Sequence, residues 1–172
     1  MNTRRAKTLK TRGLVLLTLL LAAGLTPGTA WAFLTGDAPV AVEAGPPPVY
    51  SDPLGRAIGG YDPVAYFTEG EALYGRGTIT YEWNGARWQF VSERNRAAFA
   101  ADPGRYAPRY GGYCAYAVSR GYAVSPDPTY WTIVDGRLYL NRRHVWHEWQ
   151  ARRAELITRA DRVWAGHRTA AR

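Results

Sequence analysis

The sequence is poor in the residues that many enzyme mechanisms need. Its 172 residues include one cysteine, Cys114, and no lysine beyond Lys10. One cysteine cannot form a disulfide within the chain, so the fold has to be held by packing. Walker-type phosphate loops and Schiff-base catalysis both need a lysine amine and are excluded from the rest of the chain. The sequence also lacks G-x-S-x-G and H-E-x-x-H, which excludes further common enzyme classes.

The first 32 residues have the pattern of a secretory signal peptide. Five positive charges and no acid precede an apolar run at 13–25, and Ala30-Trp31-Ala32 supplies small residues for a peptidase. The apolar run is shorter than the roughly 20 residues that span a bilayer. We therefore expect Sec-type export with cleavage after Ala32, a periplasmic or secreted protein, and no stable membrane anchor after cleavage.

Positive charge is distributed unevenly along the sequence. The formal net charge is +8, and removing the five charges of the signal peptide leaves +3. The remaining excess is mostly arginine near the C-terminus, which is more typical of a solvated helix face than of a nucleic-acid patch. Combined with export, this pattern predicts no nucleic-acid partner.

Composition divides the rest of the chain into three parts. Residues 33–57 contain three consecutive prolines and no hydrophobic periodicity, which predicts an extended or disordered leader. Residues 58–165 form the predicted domain. Residues 166–172 are predicted to be a disordered tail.

Turn and cap signals predict an α+β domain. Asn84-Gly85 and Asp135-Gly136 each separate two alternating apolar segments, which is a strong signal for a β-hairpin. Asp62, Ser92 and Asp102 have the positions of helix caps, for helices that run through Phe67, Ala101 and Tyr106. From Arg143 onward, apolar residues recur at helical spacing. We expect a small antiparallel sheet built from two hairpins, with short helices and a C-terminal amphipathic helix.

Four motifs in order give the domain a family resemblance. They are Gly60-Tyr61-Asp62-Pro63-Val64, Trp88-Gln89-Phe90-Val91-Ser92, Asn95-Arg96-Ala97-Ala98-Phe99 and Asp102-Pro103-Gly104-Arg105-Tyr106, followed by the segment GGYCAYAVS. Together they resemble a YHS domain, in the branch of exported YHS domain-containing proteins. The resemblance covers roughly Ile58 to Trp164.

The resemblance implies a small metal-binding module, of the kind found attached to copper-transporting ATPases. In those modules one cysteine follows the Asp-Pro-Val segment and another stands just before the serine. The matching positions in this chain are Ala65 and Val91, neither of which can bind a metal. Cys114 is then the one residue of this sequence that could supply thiol chemistry.

Three roles are open for Cys114. It could be a buried small hydrophobic residue, a thiolate that serves as metal ligand or redox centre, or half of a disulfide between chains. His144 and His147 are spaced i, i+3, so they could join Cys114 in a copper or zinc site; they could equally be surface histidines. Tyr113 and Tyr116 flank the thiol and could contact a ligand, or simply pack.

These observations predict a non-enzymatic, YHS-like periplasmic domain. It would bind a metal ion, with copper as the first choice, or a small ligand near Cys114. One alternative is a thiol-redox protein or enzyme with Cys114 as nucleophile. Another is a protein-interaction module in which Cys114 is structural.

Overall fold

The computed structural model describes residues 39–42 and 45–170, without the side chains of 167–170. The predicted signal peptide at 1–32 and its cleavage site lie outside the described residues. None of the helices in the described part of the chain combines the length and the apolar character of a membrane-spanning segment. The fold is α+β, as predicted, with helices packed on small antiparallel sheets.

Strands and helices alternate along the described chain. The strands are β1 (Val40–Ala41), β2 (Arg76–Trp83), β3 (Ala86–Phe90), β4 (Tyr122–Ala123), β5 (Asp127–Val134) and β6 (Arg137–Asn141). The α-helices are α1 (Ala65–Thr68), α2 (Glu93–Ala101), α3 (Pro103–Tyr106), α4 (Ala115–Ser119) and α5 (Trp146–Ala170). Short 3-10 turns occupy Ile58–Gly60, Arg109–Gly112 and Arg143–Val145.

Both predicted hairpins are confirmed. Asn84-Gly85 joins β2 to β3, and Asp135-Gly136 joins β5 to β6. All four turn residues have positive φ, between 49° and 77°, as the favoured two-residue hairpin turns require. The hairpins do not share a sheet in the described structure, and β1 pairs with β4 in a third two-stranded sheet. The register of each hairpin shifts within its longer strand, a feature that bends and twists a strand locally.

Two of the three predicted caps form. The Ser92 side chain accepts from the Asn95 amide at 3.2 Å, at the start of α2. Asp102 accepts from the Arg105 amide at 3.1 Å, at the start of α3. At Asp62 the predicted cap is wrong, because α1 begins at Ala65 with Val64 in the N-cap position and no side chain caps it. Asp62 accepts from the amides of Val64 and Ala65, so its carboxylate closes the turn that leads into α1.

Strand β6 is buried on both faces. Leu138 and Leu140 pack into a core with the first hairpin, α1 and α2. Tyr139, which points the other way, packs into a second core with α4 and α5. The period of two along a strand thus directs consecutive residues of one strand into two different hydrophobic clusters.

Helix α5 closes the second core. Trp149, Leu156 and Ala160 have no exposed surface, in agreement with the predicted apolar stripe. The Trp149 indole also donates to Thr132 Oγ1 at 3.2 Å, which ties the helix to β5. Arg152 interrupts the helix with φ −128° and ψ 19°.

The packed chain begins before residue 58. The described part of the predicted leader combines extended segments with turns, and Val42 lies in the second core and Val49 in the first. Strand β1 adds to β4, and the Tyr50 amide donates to the Gly111 carbonyl at 2.8 Å. At the other end, α5 runs to Ala170, so most of the tail predicted at 166–172 continues the helix.

Candidate functional site: the Cys114 cavity

Cys114 caps a short helix inside the protein. It precedes α4, its amide donates to the Val124 carbonyl at 3.0 Å, and its own carbonyl accepts from Val118 at 3.0 Å. Only 1% of the residue is exposed, and its thiol is free. The backbone therefore holds the sulfur at a fixed place where α4 meets the end of β4.

Burial keeps the Cys114 thiol in its neutral form. Loss of solvent raises the pKa of the thiol above its ordinary value near 9. The amides of Ala117 and Tyr116 and the nearby charge of Arg142 oppose this effect, but burial is the larger cause. A reactive cysteine needs the thiolate, so this environment does not favour a nucleophile at neutral pH.

A cavity of about 380 Å³ lies beside Cys114. Most of its wall is apolar or aromatic, with two arginines and a histidine. It is lined by Pro39, Cys114, Tyr116, Ala117, Arg120, Tyr122, Val124, Arg142, His144 and Val145. We call this space the Cys114 cavity. Its volume lies within the range of small-molecule sites.

The structure does not assemble the predicted metal set. His144 lies in the 3-10 turn before α5 and lines the Cys114 cavity, whereas His147 lies in the first turn of α5 and is not part of the cavity wall. In the part of the chain that the structure describes, no three histidine, cysteine, aspartate or glutamate side chains are grouped to hold a metal ion. Cys114 and His144 are thus the pair that shares a site.

Tyr113 and Tyr116 separate in the fold. Tyr113 is 7% exposed, and its hydroxyl donates to the Pro47 carbonyl at 3.2 Å. Burial raises the pKa of Tyr113 to about 12, and its ring packs on Tyr50 and Trp164. Tyr113 is therefore a packing residue outside the Cys114 cavity, while Tyr116 lines the cavity.

The Tyr116 hydroxyl belongs to a polar network with α5. It donates to Glu148 Oε2 at 2.7 Å, and the other carboxylate oxygen accepts from Arg120 at 3.1 Å and Arg152 at 3.0 Å. The hydrogen bond from Tyr116 and the two guanidinium groups hold the pKa of Glu148 below its usual value. The charge of Arg120 is therefore already matched by an acid.

Arg142, the other arginine of the cavity wall, has no acidic partner among the described residues. It is half-buried, and one of its guanidinium nitrogens donates to Ser125 Oγ at 3.3 Å. Among the described residues no carboxylate forms an ion pair with it. An anion in the cavity would gain a direct partner in Arg142, with the guanidinium fork available for two parallel hydrogen bonds.

Sequence reasoning missed most of this wall. Arg120, Tyr122, Val124 and Arg142 come from separate turns and strand ends that only the tertiary fold brings together. The charge pattern predicts a solvated helix face for the arginines from Arg142 to the C-terminus, which is wrong for Arg142 because it precedes α5 and lines the cavity. Arg142 comes directly after β6, and no short-range pattern in the sequence links that position to Cys114.

Alkylation rates test the state of the thiol. We expect Cys114 in the native protein to react with iodoacetamide at least about 100-fold more slowly than in denaturant, because reaction requires both exposure and the thiolate. Because the pKa is raised, the native rate should still be increasing with pH above 9, where an ordinary thiol levels off. Fast native reaction at pH 7 would instead support the redox alternative. The measurement is mass-spectrometric adduct formation against time.

Comparison with known proteins adds no assignment for this site: no protein-family model, no curated protein and no solved structure matches the chain.

Proposed function

We propose that this chain is a non-enzymatic binding domain whose ligand is a small organic anion with an apolar body. The Cys114 cavity is the binding site. We keep the expectation from the sequence that the protein is exported, resembles YHS domains and acts in the periplasm or outside the cell. The observation that carries the proposal is the half-buried Arg142 in an otherwise largely apolar wall.

The chemistry of the wall favours such a ligand. Ala117, Val124 and Val145 offer an apolar surface, and removal of apolar surface from water is the main source of affinity in such cavities. Arg142 would pair with a carboxylate or sulfonate at one end of the ligand. The neutral thiol of Cys114 would then be part of the wall and would not react.

A titration with matched probes tests the proposal. We expect hexanoate to shift the backbone amide signals of Ala117, Val124 and Arg142 in ¹⁵N-labelled protein, and to bind about 10-fold more tightly than hexan-1-ol, a difference of about 1.4 kcal/mol. The alcohol keeps the apolar body and lacks the charge. Arg142→Gln should lower hexanoate affinity by about the same factor and leave binding of the alcohol unchanged.

The adjacent arginine supplies the control. Arg143 is exposed and does not line the cavity, so Arg143→Gln removes the same charge from outside the proposed site. It should bind hexanoate as the unaltered protein does. Equal affinities for acid and alcohol, or equal losses in the two variants, would contradict a role for Arg142 as the anion partner.

Copper is the second candidate ligand, because Cys114 and His144 line the same cavity. A soft thiolate and an imidazole are donors that Cu(I) accepts. The described residues offer no third ligand of these types, so the fit is poorer than for an organic anion. In a parallel Cu(I) titration, binding that is lost in Cys114→Ser and in His144→Ala but kept in Arg142→Gln would favour the metal.

A further inference from the structure

A second concave surface lies between the end of α4 and the middle of α5. It is lined by Ser119, Arg120, Gly121, Arg159, Arg162 and Val163, and it encloses about 520 Å³. We call it the arginine groove. Three of its six lining residues carry a guanidinium group and none carries a carboxylate, so the lining has one sign of charge.

Neighbouring acids compensate these charges only in part. Arg120 forms an ion pair with Glu148 at 3.1 Å. For Arg159, the acid in reach is Glu155, at 3.8 Å, and both oxygens of that carboxylate already accept from Arg152 at 2.9 and 3.1 Å. Glu155 is therefore a weak partner for Arg159.

Arg162 has still less compensation. Its Nε donates to the Thr158 carbonyl of its own helix at 3.4 Å, and it forms no ion pair with any residue that the structure describes. Arg159 and Arg162 lie on one helix at the spacing i, i+3, which places the two groups on neighbouring positions of one face. Like charges at this spacing repel each other unless an anion lies between them.

We infer that the arginine groove binds a phosphate group. Guanidinium forks pair with tetrahedral oxyanions through parallel charge-assisted hydrogen bonds, and two or three arginines in one groove supply enough donors for one phosphate. Ser119 adds little, because its hydroxyl already donates to the Tyr116 carbonyl at 2.7 Å. Recognition would therefore depend on Arg159 and Arg162, with Arg120 at the edge shared with the Cys114 cavity.

The phosphate could belong to a soluble phosphate monoester or to the headgroup of an acidic lipid. The groove chemistry is the same for both, so the experiment needs an arm for each. Inorganic phosphate is the soluble probe, and its binding is followed by isothermal titration calorimetry of the full chain. Vesicles of phosphatidylcholine with and without phosphatidic acid are the membrane probe, and binding is measured by co-sedimentation.

The variants are chosen within one helix. We expect Arg162→Gln and Arg159→Gln each to weaken binding about 10-fold in whichever arm shows it. Arg153→Gln is the matched control, since Arg153 is exposed on α5, contacts Gln150 and does not line the groove. It should leave binding unchanged.

Each outcome decides the inference. Saturable binding of inorganic phosphate that depends on Arg162 supports a soluble ligand, and binding only to vesicles with phosphatidic acid supports a headgroup. Absence of binding in both arms, or an equal loss in Arg153→Gln, would overturn the inference. Arg120 borders both sites, but Arg159 and Arg162 do not line the Cys114 cavity. Arg159→Gln and Arg162→Gln should therefore leave hexanoate binding unchanged, which distinguishes failure of this inference from failure of the proposed function.

Discussion

Asp62→Ala is expected to lower the free energy of unfolding by about 3–5 kcal/mol, because it leaves several buried donors without an acceptor. The Asp62 residue has no exposed surface. One carboxylate oxygen accepts from the amides of Val64 and Ala65, and the other accepts from the Val91 amide at 2.9 Å and Asn95 Nδ2 at 2.8 Å. The carboxylate thus joins the start of α1, the residue after β3, and α2. Urea denaturation followed by tryptophan fluorescence measures the loss.

Asp102→Ala is the matched control for this prediction. Asp102 is an exposed cap whose side chain accepts from one amide, that of Arg105. Loss of an exposed cap costs about 1 kcal/mol. Similar losses for the two aspartates would show that Asp62 acts only as a local cap and that its bonds to Val91 and Asn95 contribute little.

Gly111→Ala is expected to lower the free energy of unfolding by about 3 kcal/mol or more and to loosen the segment at 46–50. Gly111 has φ +63°, a conformation that costs an alanine about 1–2 kcal/mol. In addition, the new Cβ would lie 2.2 Å from the Pro48 carbonyl oxygen, so the two segments have to move apart. The Tyr50 amide would then lose its bond to the Gly111 carbonyl. Denaturation gives the cost, and hydrogen exchange at Tyr50 shows the loosening.

Gly70→Ala separates backbone strain from the clash. Gly70 has φ +70° and nothing within 4 Å of the position of a Cβ. We expect Gly70→Ala to lower the free energy of unfolding by only about 1–2 kcal/mol, the cost of backbone strain, and to leave hydrogen exchange at Tyr50 unchanged. If Gly111→Ala costs no more than Gly70→Ala, the contact between residues 46–50 and the 3-10 turn is too weak to order the segment.

Local signals were sufficient to predict the two hairpins and several of the helices, but not β1, β4 or α4. The turns at Asn84-Gly85 and Asp135-Gly136 and the caps at Ser92 and Asp102 depend on residues close in sequence, and each formed as predicted. Contacts between distant segments were beyond such signals. The burial of Val42 and Val49 depends on partners far along the chain, whereas composition alone predicts an extended or disordered leader.

Asp62 gives a physical reason for the joint occurrence of three motifs. The segments at 60–64, 88–92 and 95–99, on which the resemblance to YHS domains depends, meet at its carboxylate through Val64, Val91 and Asn95. The sequence predicts a helix cap at Asp62, whereas one carboxylate oxygen closes the turn before α1 and the other binds Val91 and Asn95. The hydrogen bonds to its second oxygen could not be predicted from local spacing, because Val91 and Asn95 follow about 30 residues later.

The candidate site was predicted only in part. The sequence indicated Cys114 and Tyr116 as candidate ligand contacts, and both line the cavity together with His144. His147 was paired with His144 on helical spacing, but the helix begins at Trp146 and separates the two histidines into different elements. Arg142 and Val124 reach the cavity through the tertiary fold, which short-range patterns do not encode.

The most direct test of the central claim is to locate a bound anion in the cavity. Intermolecular nuclear Overhauser effects between hexanoate and methyl groups of ¹³C-labelled protein report direct contacts between the two molecules. The account predicts contacts from the hexanoate chain to Ala117, Val124 and Val145, which line the Cys114 cavity. Contacts to Val49 or Val163, which line other cavities, or no contacts at saturating hexanoate, would contradict it.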